Sequence, residues 1–92
     1  MMVRWTAPSA QDLTNICDYT ERSFGAAQAR RVATTIYDAA DSLKELPQLG
    51  RIGRKPGTRE LRITGLPFMI VYRTKQDLVE ILRILHGAQQ SV

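Results

Sequence analysis

The sequence predicts an α+β fold in which a short strand and two helices are followed by three strands. Apolar residues recur at helical spacing through the first half of the chain, at 13–24 and again at 29–43. Three short strand-forming runs follow residue 57, separated by turn sequences. The links between these runs are too short for parallel crossovers, so we expect a small, mainly antiparallel sheet packed against an antiparallel helix hairpin.

The first half of the chain is predicted to hold a lead-in strand and the two helices. Residues 3–6 alternate between apolar and polar and predict the strand. Ser9, with Asp12 three residues later, resembles a capping box and predicts the start of the first helix. Gly25 ends that helix, and the second helix is predicted over 26–46, where a proline follows. The tight junction between the helices favours a hairpin.

The second half is predicted to hold a loop over 47–57, which is rich in proline and glycine, and then the three strands. We place the strands at 58–63, 68–75 and 78–86. The middle strand is apolar on both faces, and Met69 and Val71 share one of them. Since only two helices are available to cover the sheet, we expect that face to await a partner.

Length and composition indicate one globular domain over residues 1–92. The chain is 43% hydrophobic and 24% charged, as in ordinary soluble domains. It has neither a secretory signal nor an apolar run near the roughly 20 residues that a membrane span needs. The lone cysteine, Cys17, is expected on the buried stripe of the first helix, which also holds Leu13, Ile16 and Phe24. We therefore expect a cytoplasmic protein without disulfides.

Positive charge is concentrated in the second half of the chain. Residues 1–46 hold five basic and six acidic side chains, whereas residues 47–92 hold eight basic and three acidic ones. Within twelve positions, a single acidic residue offsets a basic cluster of Arg51, Arg54, Lys55, Arg59 and Arg62. Such a cluster favours an anionic partner, either a nucleic acid or an acidic protein segment, although a solvated basic loop is the simpler alternative.

Several classes of chemistry find no support in the sequence. One cysteine, one histidine and no clustered carboxylates predict the absence of a metal site. The glycines at 50–53 lack the spacing and the lysine of a phosphate-binding loop, and no local signature supports a Ser/His/Asp triad. We expect no cofactor.

The order and spacing of short motifs resemble the RelE/ParE superfamily, the toxins of bacterial type II toxin–antitoxin systems. The resemblance spans nearly the whole chain and is carried most strongly by "GTREL" at 57–61, "PFMIVYR" at 67–73 and "ILRILHGAQ" at 81–89. It implies the fold predicted above. It also implies a toxin–antitoxin hetero-oligomer, in which a small acidic antitoxin wraps the toxin through a C-terminal segment.

The superfamily includes ribonucleases that cut messenger RNA on the ribosome, and this alternative has candidate residues. RNA self-cleavage needs a group to take the 2′-hydroxyl proton and cations to hold the phosphate. His86 is the sole histidine and could take the proton, while Arg62 and Arg83 could clamp the phosphate. The simpler reading of His86 is a strand-end histidine bonded to backbone. Tyr72, in mid-strand, is expected to be core rather than a proton donor.

Departures from the ribonuclease pattern favour the ParE branch, which binds DNA gyrase. Met69 stands where RelE-type enzymes carry an arginine, and the chain ends at Val92 without their functional tyrosine. We therefore expect a gyrase-binding toxin, with a RelE-like ribonuclease as the alternative. A third possibility is a member with another target, or an inactive relic that binds only its antitoxin. The expected target contacts are Arg51, Arg54, Lys55, Arg59, Arg62 and Arg83, and the expected antitoxin contacts are Met69, Val71, Arg59 and Arg62.

Overall fold

Two helices and five strands follow one another within residues 1–87, the part of the chain that this computed structural model describes. In chain order they are β1 (Met2–Trp5), α1 (Ala7–Phe24), α2 (Ala26–Asp41), β2 (Arg51–Ile52), β3 (Arg59–Arg62), β4 (Phe68–Lys75) and β5 (Leu78–His86). The strands form one sheet in the order β1-β5-β4-β3-β2. Only the β1–β5 pair of this sheet is parallel within the described range. The predicted α+β class, its helix hairpin and its mainly antiparallel sheet are confirmed.

The two helices differ from their predicted bounds at one end each. α1 begins at Ala7, and its N-cap is Thr6, whose hydroxyl oxygen accepts a hydrogen bond from the Ser9 amide at 3.4 Å. The capping box predicted from Ser9 and Asp12 is therefore wrong, because Ser9 is already buried in the first turn. α2 ends at Asp41 and tightens into a 3₁₀ turn, where the Ser42 hydroxyl donates to the Ala39 carbonyl at 2.7 Å.

The segment predicted as a loop over 47–57 contains the edge strand β2. Arg51 pairs with Glu60 and Ile52 pairs with Arg59, so β2 extends the sheet by two residues. Two residues between glycines are too few for an alternating pattern to appear in the sequence. The remaining strands fall within one residue of their predicted bounds.

The main core lies between the helix hairpin and one face of the sheet. Its members are fully or almost fully buried: Val32, Ile36, Ala40, Leu43, Ile63, Ile70, Tyr72, Val79, Ile81 and Ile84. Gly25, with φ +94°, permits the sharp reversal between the helices, since a side chain at that φ is strained. No helix within residues 1–87 is both long and apolar enough to cross a membrane.

α1 also protects the edge of β5 that β1 leaves uncovered. The β1 pairing ends at Ile81, whose carbonyl accepts from the Thr6 amide at 3.1 Å. Beyond that point the Asp12 carboxylate accepts from the Ile84 amide at 2.9 Å and from Arg83 Nε at 2.7 Å. A side chain on α1 thus replaces a neighbouring strand at this edge.

Candidate functional site

The basic loop between α2 and β3 is held against the sheet by the hydroxyl of Tyr72. This buried hydroxyl accepts from the Gly50 amide at 2.8 Å and donates to the Pro47 carbonyl at 2.9 Å. Arg59 Nη1 donates to the Gly50 carbonyl at 2.8 Å. A Cβ at Gly50 would lie 2.7 Å from the Tyr72 ring, so only glycine fits there. Burial raises the pKa of Tyr72, which keeps its proton for this loop contact.

A buried carboxylate holds the other side of the same loop. Glu60 is 4% exposed, and it accepts from Arg51 Nη2 at 3.3 Å and from the Arg54 amide at 3.2 Å. Of the five clustered basic residues, Arg51, Arg54 and Lys55 are therefore gathered at the β2 edge. Arg59 is turned toward Gly50 on the helix side, and Arg62 lies on the other face of the sheet.

The structure does not bring the three candidate ribonuclease residues together. His86 pairs with Phe68, makes an edge-to-face ring contact with it at 5.7 Å, and lies on the helix side of the sheet. Arg62 pairs with Met69, which belongs to the opposite face. Arg83 is bound to α1 by two hydrogen bonds to the Asp12 carboxylate, at 2.7 and 3.0 Å. His86 and Arg62 thus start from opposite faces of the sheet, but the Arg62 guanidinium extends to the end of β5, where Nη1 lies 3.5 Å from the position of a Cβ at Gly87.

The face of the sheet without helices carries a small apolar cluster between ion pairs. Met69, Val71 and Leu85 are buried there with Leu82 packed against them. On one side of this cluster the buried Glu80 accepts from Arg73 Nε at 2.7 Å and also from Arg4. Glu60 and Arg51 lie on the other side. Met69 and Val71, the predicted antitoxin contacts, are only 7% and 1% exposed, so the chain itself already covers most of their surface.

An apolar groove of about 480 Å³ opens between the helix hairpin and the β3–β4 turn. Tyr19 and Phe24 at the end of α1 form one wall, and both are more than half exposed. Its other lining residues are Thr20, Gln28, Val32, Leu66, Pro67, Phe68 and His86. Placing Phe24 on the buried stripe of α1 was wrong, since it is 70% exposed. Only the tertiary packing reveals the groove, because its walls are distant in sequence.

The described residues offer little for metal or thiol chemistry. No three histidine, cysteine, aspartate or glutamate side chains within residues 1–87 lie close enough together to hold a metal ion. Cys17 is partly buried on α1, and this burial, together with the charge of Asp18, raises the pKa of its thiol. The neutral thiol is a weak nucleophile. The burial and the charge that raise this pKa thus disfavour the reactive thiolate.

A comparison with sequence models of protein families decides the family. The model for the ParE toxin of the type II toxin–antitoxin system parDE matches residues 3–91, nearly the whole chain. The chain belongs to the ParE toxin family. The predicted RelE/ParE superfamily membership is thereby confirmed.

Two curated relatives of this ParE-family chain are also named as toxins. One is the toxin Y4kP of Sinorhizobium fredii, which is 43% identical over 88 residues, covering 96% of this chain and 90% of the relative. The other is the toxin RelE2 of Caulobacter vibrioides, which is 40% identical over 87 residues, covering 95% and 96%. One of the two relatives thus carries a RelE name, whereas the family model that matches this chain is that of ParE.

Solved structures of toxin–antitoxin systems share the fold. A chain of the chromosomal ParDE system from Pseudomonas aeruginosa superposes with a TM-score of 0.87 at 30% identity, covering 94% of this chain and 95% of that one. A chain of the RelBE2 toxin–antitoxin complex from Mycobacterium tuberculosis superposes with a TM-score of 0.70 at 24% identity, covering 92% and 95%. Both of these neighbours come from toxin–antitoxin systems.

Proposed function

We propose that this ParE-family toxin arrests growth in the bacterial cytoplasm by binding DNA gyrase. The single observation that carries the proposal is the binding of Arg83, a candidate phosphate clamp, to the Asp12 carboxylate on α1 through two hydrogen bonds. An acid–base ribonuclease needs its proton-transfer group and its phosphate clamp around one reacting phosphate. Binding to a protein target needs no such convergence. The ParE family model and the ParDE chain at a TM-score of 0.87 also favour this assignment.

The other polar groups near the candidate site are already engaged in structural contacts. The Tyr72 hydroxyl is bonded on both sides by the basic loop, and Arg83 is bonded twice to Asp12. Recruiting Tyr72 for catalysis would leave the Gly50 amide and the Pro47 carbonyl without their partner, at a cost of about 1–3 kcal/mol. Recruiting Arg83 would remove two of the hydrogen bonds that the Asp12 carboxylate accepts and leave the bond from the Ile84 amide. These contacts therefore favour a rigid binding surface over a reactive centre.

The groove is the surface that best fits the neutralising antitoxin. Its walls expose Tyr19 and Phe24, which suit the apolar face of an amphipathic segment. The basic loop at 51–55 and Arg62 would attract the acidic residues of the same segment during encounter. Met69 and Val71 stay predictions as antitoxin contacts, with most of the contact area expected from the groove.

The direct test is a supercoiling assay with purified gyrase and the purified chain. We expect the chain to block supercoiling, and we expect added antitoxin to restore it. A matched control is the chain mixed with antitoxin before gyrase is added, which should leave supercoiling intact. Full supercoiling activity at a large excess of folded toxin would contradict the gyrase assignment.

A ribosome-dependent ribonuclease is the second candidate function. It is favoured by the 40% identity to the Caulobacter toxin named RelE2. The test is incubation of the chain with programmed ribosomes, followed by mapping of messenger RNA ends. Cleavage within codons that antitoxin abolishes would establish this function in place of gyrase binding.

A further inference from the structure

Three large aliphatic side chains project from one short segment at the edge of the sheet. Leu46, Leu49 and Ile52 are 56%, 51% and 77% exposed. A single exposed leucine is ordinary in a folded domain. Leu46 and Leu49 line one shallow depression, and Ile52 follows three residues later on β2, so this short segment presents more apolar side chains than a folded surface usually does. We call these three residues the edge cluster.

The edge cluster is held in one conformation by hydrogen bonds from the interior. The Leu49 amide donates to the Leu46 carbonyl at 3.1 Å, which closes a turn between the two leucines. The Tyr72 hydroxyl binds the Pro47 carbonyl and the Gly50 amide, one on each side of that turn. A surface that is ordered before binding loses less conformational entropy when a partner arrives.

The charges around the edge cluster indicate the chemistry of its partner. Residues 45–60 hold four basic and two acidic side chains, a net charge of +2. Arg54 and Lys55 closely follow Ile52 in the chain, whereas Arg51 turns to the open face, where it binds Glu60. An apolar centre with a charged rim is the usual composition of a protein–protein interface. Nucleic-acid interfaces are more polar and more strongly basic than this. The fitting partner is a protein surface whose apolar side chains are ringed by carboxylates.

The apolar groove lies along the first half of α2, and the edge cluster follows the end of this helix. Gln28 and Val32 of α2 line the groove, whereas Leu49 shares a shallow depression with Thr35, Ala39 and Ser42. The two surfaces therefore meet α2 at successive stretches. None of the three edge-cluster residues lines the groove, so a segment confined to the groove leaves them uncovered.

We propose that Leu46, Leu49 and Ile52 form the contact surface for the toxin's target, separate from the groove that receives the antitoxin. This inference rests on the proposed function, in which the toxin acts by binding a protein. The target contributes apolar side chains to the edge cluster and carboxylates to Arg54 and Lys55.

The test compares growth arrest with antitoxin affinity across matched serine variants. The edge variants are Leu46→Ser with Leu49→Ser, and separately Ile52→Ser. The groove variant is Phe24→Ser, and the control is Met2→Ser at the opposite edge of the sheet, where Met2 is 75% exposed. All of these side chains are more than half exposed, so the variants should fold, and far-ultraviolet circular dichroism checks that they do.

The edge variants should need at least about tenfold more toxin for the same arrest, with antitoxin affinity within about twofold of the parent. Phe24→Ser should lower antitoxin affinity and leave growth arrest at the level of the parent. Met2→Ser should change neither growth arrest nor antitoxin affinity. Edge variants that arrest growth like the parent, or that lose antitoxin affinity as Phe24→Ser does, would overturn the proposal. The double variant Arg54→Ala plus Lys55→Ala tests for a nucleic-acid target. If this variant loses arrest while both edge variants keep it, the contact depends on charge alone and the proposal is overturned.

The experiments distinguish a failure of the gyrase assignment from a failure of the edge-cluster proposal. Unimpaired supercoiling in the presence of the parent toxin overturns the gyrase assignment and leaves the separation of the two surfaces standing. Edge variants that keep full arrest overturn the edge cluster and leave the gyrase assignment standing.

Discussion

The helix-covered face of the sheet and its open face bury their side chains by different means. On the covered face, Ile36, Ile70 and Ile81 are completely buried in a continuous apolar core beneath the hairpin. On the open face, a four-residue apolar cluster lies between buried carboxylates that are bridged by exposed arginines. The covered face therefore provides stability through packing, whereas the open face depends on a few ion pairs and carries much of the positive charge.

Adjacent residues on β5 allow the two faces to be compared directly. Ile84 is 3% exposed and faces the main core, while Leu85 is 2% exposed and faces the open-face cluster. We expect Ile84→Ala to lower the free energy of unfolding by about 4 kcal/mol and Leu85→Ala by about 2 kcal/mol. The cavity on the open face can be filled by the flanking side chains, whereas the cavity under the helices cannot. Urea unfolding, monitored by Trp5 fluorescence, measures the free energy of unfolding of both variants. Equal losses of stability would contradict the difference between the two faces.

The next largest effect should come from the single hydroxyl that joins the covered face to the basic loop. Tyr72→Phe keeps the ring in the core but leaves the Gly50 amide and the Pro47 carbonyl without their partner. We expect a loss of about 1–3 kcal/mol in the free energy of unfolding. Amide hydrogen exchange should accelerate at Gly50 and leave Ile70 protected. Unchanged protection at Gly50 would show that the loop is held by other contacts.

Acidification should weaken the open face more than the covered face. Hydrogen bonding from Arg73, followed by the charge of Arg4, holds the pKa of Glu80 below its usual range. A lowered folded-state pKa means that this stabilisation is complete above about pH 4.3, the pKa of an unfolded-chain glutamate, and is lost as the pH falls through the folded value. Glu80→Gln should therefore be less stable than the parent at pH 7, with the difference shrinking toward pH 3. A constant difference in urea midpoints would contradict this assignment.

A smaller effect is expected from single charge reversals on exposed lysines. Lys55 lies in the basic loop, and Lys75 is the last residue of β4, the central strand of the sheet. Lys55→Glu should slow antitoxin association by about threefold to tenfold at low salt, because electrostatic steering acts on the association rate. Lys75→Glu is the matched control and should change the rate less. If the association rate measured by stopped flow does not change with salt concentration, the basic loop does not steer the antitoxin by charge.

The sequence predicts the regular parts of this fold well because they depend on local patterns. The bounds of β4 and β5 follow from short strand-forming apolar runs and from turn residues at 64–67 and 76–77, and the hairpin follows from two helical stripes around Gly25. The Thr6 cap was missed because Ser9 offered an equally good local signal. β2 was missed because two residues are too few to show the alternation that identifies a strand.

The candidate site was less predictable than the fold. Charge clustering located the basic loop, but it could not reveal that Arg59 and Arg83 are committed to Gly50 and Asp12. Those bonds join residues that are distant in sequence, and they depend on strand register. The division of His86 from Arg62 likewise requires the register, because one residue of slip reverses the face that a side chain occupies.

The central claim is that this toxin acts by binding, and growth arrest by the His86→Gln variant tests it most directly. Glutamine keeps one hydrogen-bonding group near the β5 end but cannot serve as a general base. The account predicts arrest at the level of the parent, whereas loss of a catalytic base typically costs about 100- to 10,000-fold in rate. Abolished arrest by a His86→Gln protein that still folds and still binds antitoxin would contradict the binding mechanism.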